Sequence, residues 1–106
     1  MPEDMSNMFE NLQHLQEQVA RVQQELSMQT VTTESGGGVV KVTANGKLQI
    51  VKIEIEKEVI DPSEKEMLED LILAAVNRTL ERAREIADRT MSDVARSFLP
   101  PGFPGM

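Results

Sequence analysis

The 106-residue chain contains no cysteine, no tryptophan and no tyrosine, with three phenylalanines and a single histidine. The missing cysteines exclude a disulfide framework and a thiolate metal site, and they make a reducing cytoplasm the natural compartment. With so few aromatics the core has to be aliphatic. Single-stranded nucleic acid, which proteins hold by stacking bases on exposed rings, is a poor fit for the same reason. No apolar run approaches the roughly 20 residues of a membrane span, and Met1-Pro2-Glu3-Asp4 lacks the basic, then apolar, layout of a signal peptide. A net charge of −7 opposes whole-molecule attraction to nucleic acid or anionic lipid but leaves room for a local basic patch. The expectation is a cytoplasmic protein folded as one domain over residues 1 to 99, followed by a Pro/Gly-rich tail over 100 to 106. Such a domain is too small to enclose a deep substrate cavity.

What the chain does have is periodicity. Met5, Met8, Leu12, Leu15, Val19, Val22 and Leu26 alternate spacings of three and four, the a and d positions of a coiled-coil seam. Glutamines, glutamates, His14 and Arg21 fill the space between them, so the stripe is only two residues wide per heptad. A helix set into an ordinary core carries a wider one. The seam therefore predicts a helix, about residues 4 to 27, that lies along another helix with both flanks wet.

Thr30, Val31, Thr32 and Thr33 are β-branched and turn the chain to a strand over 30 to 34. Gly36, Gly37 and Gly38 follow and permit a hairpin turn. A phosphate cradle is their functional rival, but phosphate-binding loops lead into a helix, and residues 39 to 44 read as a strand. Asn45-Gly46 is the favoured pair for a two-residue type I′ hairpin. In that register Ala44 faces Lys47, Val42 faces Gln49, and Val40 faces Val51, with Ile53 and Ile55 sharing the buried face. Lys41, Lys47 and Lys52 then belong to solvent, as a wet sheet face or as weak candidates for a ligand.

Asp61-Pro62-Ser63-Glu64-Lys65-Glu66 opens the last helix, with Asp61 as cap and Pro62 in its first turn, or Ser63 as cap and Glu66 closing a capping box. Ile72, Val76, Leu80, Ala83, Ala87, Met91, Val94 and Phe98 repeat with helical period up to Pro100. A helix of that length, roughly 54 Å at 1.5 Å per residue, cannot be covered by the rest of so short a chain, so a homodimer is expected. Arg78, Arg82, Arg89 and Arg96 share one narrow sector on the side away from this stripe, with Glu85 inside it and Asp93 at its edge. The sector reads either as a solvated face stitched by pairs such as Glu85 with Arg89 or as an arginine stripe that touches phosphates.

No catalytic constellation is present. His14 stands among glutamines with no metal-ligand spacing around it, and the carboxylates Glu64, Glu66, Glu69 and Asp70 suit a helix start without acid and base work. Neither a cofactor nor a small-molecule substrate is expected.

The chain resembles the YbaB/EbfC family of bacterial nucleoid-associated proteins over nearly its whole length. The likeness is carried by residues 35 to 46, by Val51, Ile53 and Ile55, by Met67-Leu68-Glu69-Asp70-Leu71 with Ala74-Ala75-Val76-Asn77, and by Leu99-Pro100-Pro101-Gly102-Phe103. The resemblance implies an α+β fold of helix, three-stranded antiparallel β-meander and long helix. It further implies a tweezer-like homodimer with helical arms that binds duplex DNA with little sequence preference and acts in nucleoid organisation or gene regulation. Two departures stand out: the first helix keeps one basic residue, Arg21, where relatives often carry lysines, and Arg78-Thr79 replaces an acidic and a small residue. The burden of DNA contact then shifts toward Arg78, Arg82, Arg89 and Arg96. The alternative from another class is a dimeric protein-interaction scaffold with no direct DNA binding. The seam is expected to pack along the last helix, within one chain or across the dimer.

Overall fold

The computed structural model describes residues 3–97. Phe98 and the Pro/Gly-rich tail lie outside the described residues. Helix α1 (Glu3–Met28) leads into strands β1 (Thr30–Ser35), β2 (Val40–Asn45) and β3 (Ile50–Ile55). Two 3-10 turns (Lys57–Val59 and Pro62–Glu64) then precede helix α2 (Lys65–Ser97). The sheet is antiparallel in the order β1-β2-β3. Fold class and element order are those expected from the sequence.

The first hairpin turns on glycine. Gly36, Gly37 and Gly38 have φ of 62°, 73° and 99°, a region in which side chains with a Cβ are strained. The second hairpin differs from the expected one. Neither Asn45 nor Gly46 has positive φ; Leu48 does, at 62°. The loop is Gly46-Lys47-Leu48, closed by Asn45 N–H donating to the Gln49 carbonyl at 3.0 Å. Asn45 builds it with its side chain, whose Oδ1 accepts from the backbone of Lys47 at 2.9 Å and Gln49 at 3.2 Å. Three-residue loops ending in a left-handed residue are the next commonest hairpin after the two-residue type.

That one extra residue changes the register. Val40 faces Ile55, Val42 faces Ile53 and Thr43 faces Lys52, while Ala44 faces Ile50, so a bulge leaves Val51 unpaired. Ile50 thereby joins the covered side, where it packs on the core with Ile55, and Val51 is left exposed. The assignment of Val51 to the buried face is corrected by this bulge, and that of Ile53 by the position of α2: Ile53 faces the same way as Val42 but is 46% exposed, because α2 lies over β1 and β2.

Gly46 is needed for close approach instead of φ. Its N–H caps the end of α1, donating to the carbonyls of Leu26 at 2.8 Å and Gln29 at 3.0 Å, groups that a helix end leaves without intrahelical partners.

Helix α2 lies over β1 and β2. Val40, Val42 and Ala75 form the buried centre, with Leu68, Leu71, Ile72 and Val76 packed around it. The residue pointing straight at the sheet is Thr79, fully buried, with Ala75 and Ala83 one turn to either side. Of the stripe read from sequence, Ala83 falls on this buried line and Ile72 packs beside it, whereas Val76, Leu80, Ala87, Met91 and Val94 run along its flank. The side chains that meet the sheet are small because helix and sheet approach closely. Two hydroxyls of β1 fix the approach: Ser35 donates to the Leu71 carbonyl at 2.7 Å and Thr33 to the Ala75 carbonyl at 3.2 Å. Thr33 and Thr79 hydroxyls are themselves 2.6 Å apart. These contacts run α2 antiparallel to β1, so its far half passes the start of β1 and reaches α1.

The molecule is elongated. Its extents are 73 × 29 × 17 Å and its radius of gyration is 20.6 Å, against about 13 Å for a compact chain of this length. Of the N-terminal seam only Val22 and Leu26 are buried; Met5, Met8, Leu12, Leu15 and Val19 remain open. Within one chain, the packing of the seam along the last helix is therefore confined to its C-terminal end.

Candidate nucleic-acid interface

The orientation of α2 assigns its two flanks. At about 100° per residue, Arg78 and Leu80 stand on opposite sides of Thr79. Arg78 reaches the Glu34 carbonyl of β1 at 2.6 Å, so its flank overhangs the β1 edge. The Leu80 flank overhangs β3. Arg82, Arg89 and Arg96 fall on the Arg78 flank, within about 40° of one another. The four arginines are thus gathered on one flank, immediately beside the buried line and not diametrically opposite it, because the buried line is centred on Thr79.

The arginines differ in how far they are engaged. Arg78 is held by the strand carbonyl. Arg96 pairs with Asp93 at 2.7 Å. Among the described residues Arg82 and Arg89 have no ion-pair partner, and the expected pair of Glu85 with Arg89 is not made. These two guanidinium groups sit seven residues apart, roughly 10 Å along the axis. Arg21 stands on α1. It lines a groove of about 380 Å³ with Gln18, Val22 and Glu25 on one wall and Thr90, Asp93, Val94 and Ser97 on the other, and it donates to Gln18 Oε1 at 3.1 Å. The groove between two helices, visible only once they are packed, sets Arg21 beside Asp93, the residue that pairs with Arg96.

The lysines stand elsewhere. Lys41 lies on the sheet face away from α2, opposite Glu34 on one neighbour and Glu54 on the other. Lys52 on the same face is bound to Glu54. The hydrogen bond and charge of that partner raise the Lys52 pKa and lower that of Glu54. Lys47 is in the loop that caps α1. None of the three shares the arginine flank, and the outer sheet face is a solvated surface of alternating charge.

Among the described residues no cluster of His, Asp or Glu could hold a metal ion, and no helix is long and apolar enough to cross a membrane. His14 is exposed beside Glu17. What the flank offers is fixed positive charge on a rigid rod, without aromatic platforms, which suits phosphate contact and not base readout.

Comparison with known proteins points the same way. The family model described as the YbaB/EbfC DNA-binding family matches residues 1–98. A nucleoid-associated protein of Moorella thermoacetica is 47% identical over 100 residues, covering 94% of this chain and 96% of that protein. One from Pelotomaculum thermopropionicum is 43% identical over 99 residues, with 93% and 94% covered. Among solved structures, the uncharacterized protein HP0035 from Helicobacter pylori superposes with a TM-score of 0.76 at 20% identity, covering 90% of this chain and 98% of that one; that likeness concerns the fold. On the whole-length family match and the identity to these relatives, the chain belongs to the YbaB/EbfC DNA-binding family.

Proposed function

We propose that the protein is a nucleoid-associated homodimer that binds duplex DNA with little sequence preference, through backbone contacts made by the arginine flank of α2. The observation that carries this reading is the pair Arg82 and Arg89, two cations on one flank with no ion-pair partner among the described residues. The relatives named nucleoid-associated proteins support it, as does the absence of tryptophan and tyrosine for base stacking. Its place is the bacterial nucleoid, where it contributes to DNA organisation or gene regulation. The family is a DNA-binding family and not an enzyme family. With a net charge of −7, long-range steering toward DNA is poor, so binding depends on this local patch and falls steeply with salt as counterions are released. The negative charge favours one second reading, a dimeric scaffold for protein partners that does not touch DNA.

Fluorescence anisotropy with a random-sequence duplex at two salt concentrations separates the two. Arg82→Glu and Arg89→Glu should each weaken binding by roughly tenfold and flatten the salt dependence, since each phosphate contact contributes about one unit to the slope. Binding that ignores both substitutions would remove the arginine flank from the mechanism. No binding even at low salt would leave the scaffold.

A further inference from the structure

We infer that the open edge of β1 belongs to the DNA-contacting surface: the backbone N–H of Thr32 and the guanidinium of Arg82 together form a subsite for one phosphate of the duplex. The inference deepens the DNA-binding reading and rests on it, and it adds a main-chain donor to a surface otherwise made of arginine side chains.

The backbone groups of β1 divide by the alternation of an antiparallel ladder. Glu56 N–H donates to the Val39 carbonyl at 2.9 Å, so Lys41 and Thr43 also turn their backbone groups to β3. Val40, Val42 and Ala44 turn theirs to Ser35, Thr33 and Val31. Thr30, Thr32 and Glu34 are left with N–H and carbonyl facing outward, on a side where β1 has no neighbouring strand. The Thr32 hydroxyl is already engaged with that of Thr43 at 2.8 Å, so the free donor at this position is the N–H.

Two fixed points set how α2 runs along this edge. At one, Arg78 donates to the Glu34 carbonyl at 2.6 Å. At the other, Thr90 lines the same groove as Gln29, the residue just before β1. From Arg78 to Thr90 the helix advances about 18 Å, and from Glu34 back to Gln29 the strand covers about 17 Å. The two therefore keep pace. Arg82, about 6 Å past Arg78 along the axis, comes level with Thr32, about 7 Å from Glu34 along the strand. At about 100° per residue it also stands some 40° nearer the sheet than Arg78, and it has no ion-pair partner among the described residues.

A guanidinium has five N–H donors in a planar fork. One edge of the Arg82 fork can cover the outward Thr32 carbonyl, as Arg78 covers that of Glu34, while the other meets a phosphate oxygen beside the Thr32 N–H. The nearby carboxylates leave this spot open. Glu34 Oε2 lies 3.3 Å from the place a Cβ on Gly38 would take, which draws that carboxylate to the first hairpin. Glu85 stands about 60° further from the sheet than Arg82, so it repels a phosphate on the solvent side of the flank and steers it to the strand side. A fourth strand is poorly served by the same edge, because Arg78 crosses it at Glu34 and the run left from Thr30 to Thr32 is too short to pair. A main-chain donor holds a phosphate without reading a base, in keeping with little sequence preference.

Proline at position 32 removes the N–H, and an edge strand tolerates proline where that N–H faces solvent. Thr32→Val is the matched control, since it loses the hydroxyl bond to Thr43 and keeps the N–H. In duplex anisotropy Thr32→Pro should bind at least about fivefold more weakly than Thr32→Val, the loss of one bond to a charged acceptor at an exposed site. Its salt slope should match that of Thr32→Val, because a neutral donor releases no counterion, whereas Arg82→Glu should lower the slope by about one unit. Amide proton shifts judge the subsite even where proline disturbs folding. With saturating random-sequence duplex the Thr32 amide proton of the unaltered protein should move downfield, those of Val31 and Thr33 should stay, and the Thr32 movement should vanish in Arg82→Glu. Duplex binding with a stationary Thr32 amide, a Thr32 movement that survives in Arg82→Glu, or equal affinities for folded Thr32→Pro and Thr32→Val would overturn the subsite and leave the arginine flank standing. If no duplex binds even at low salt, the DNA reading falls and inorganic phosphate is titrated instead: a moving Thr32 amide upholds the subsite as an anion site, and a stationary one removes it.

Discussion

A guanidinium nitrogen of Arg78 on α2 lies 2.6 Å from the main-chain carbonyl oxygen of Glu34 on β1 and donates to it. That carbonyl points away from the sheet. The Glu56 N–H bonds to the Val39 carbonyl, and by the alternation of an antiparallel ladder Lys41 and Thr43 also point their backbone groups at β3. Val40, Val42 and Ala44 then point theirs at Ser35, Thr33 and Val31, which leaves Glu34 facing the open edge. An open edge is a template for unwanted strand pairing, and Arg78 occupies it. Arg78→Ala should therefore lower stability by about 1 kcal/mol, the size of a charge-assisted bond discounted for its exposure, and leave duplex affinity within about twofold. Thermal unfolding and anisotropy on the same sample check this. An affinity loss equal to that of Arg82→Glu would return Arg78 to the DNA-contacting set.

Thr79 supplies a second prediction. Its hydroxyl is fully buried and lies 2.6 Å from the Thr33 hydroxyl, 2.6 Å from the Ala75 carbonyl and 3.2 Å from the Val42 carbonyl. Replacing either member removes the bond between the two hydroxyls and leaves the survivor only its carbonyl contacts, whereas replacing both with shape-matched apolar groups loses that shared bond only once. Thr79→Val and Thr33→Val should each cost about 1 to 2 kcal/mol. The double variant should cost clearly less than their sum. Urea denaturation of the four proteins gives the coupling energy directly, and strict additivity would show that the two hydroxyls act independently.

These residues also show where the sequence was readable. The first helix, the glycine turn, the sheet order and Asp61 as a cap follow from local chemistry, since each depends on residues close in the chain. The buried line of α2 followed only at Ala83, because Val76, Leu80 and Met91 are more apolar than Ala75 and Thr79 and dominate any periodicity count. Small residues mark the line only when it is known that a sheet lies against it. The arginines were legible as a group, but their separation into held and free was not: Arg78 depends on a strand carbonyl and Arg96 on Asp93. Arg21 needed two helices in place. The second hairpin misled for a similar reason, because Asn-Gly carries a strong local preference that the cap on α1 overrides.

Gly46 makes that override testable. A Cβ added there would stand 2.9 Å from both the Leu26 carbonyl oxygen and Leu26 Cδ2. The backbone oxygen cannot move without breaking the end of α1. Gly46→Ala should destabilise by about 1 to 3 kcal/mol, in the range of overpacked sites, although Gly46 has no positive φ and the two-residue turn expected from sequence is absent. Gly37 is the contrasting position, with φ of 73° and nothing within 4 Å of an added methyl; there the cost is backbone strain alone. Melting temperatures of Gly46→Ala and Gly37→Ala, with amide exchange at the last turn of α1, distinguish the mechanisms. Only Gly46→Ala should speed exchange in α1.

Asp61 gives the pH dependence. Its carboxylate accepts from the Ser63 backbone N–H at 3.0 Å and the Ser63 hydroxyl at 2.8 Å. These bonds favour the charged form and hold its pKa below the usual carboxylate value. A group whose folded pKa is depressed contributes stability that is fully present above its unfolded pKa, near 3.9 for an aspartate, and lost as pH falls through the folded value. The start of α2 should therefore loosen below about pH 4, with a carboxyl titration of Asp61 shifted to lower pH than that of a free aspartate. Asp61→Asn keeps an acceptor oxygen at the cap but cannot titrate, so its melting temperature should fall less steeply between pH 5 and about pH 3 than that of the unaltered protein. Parallel curves for the two proteins over that window would show that the Asp61 cap contributes nothing to acid sensitivity.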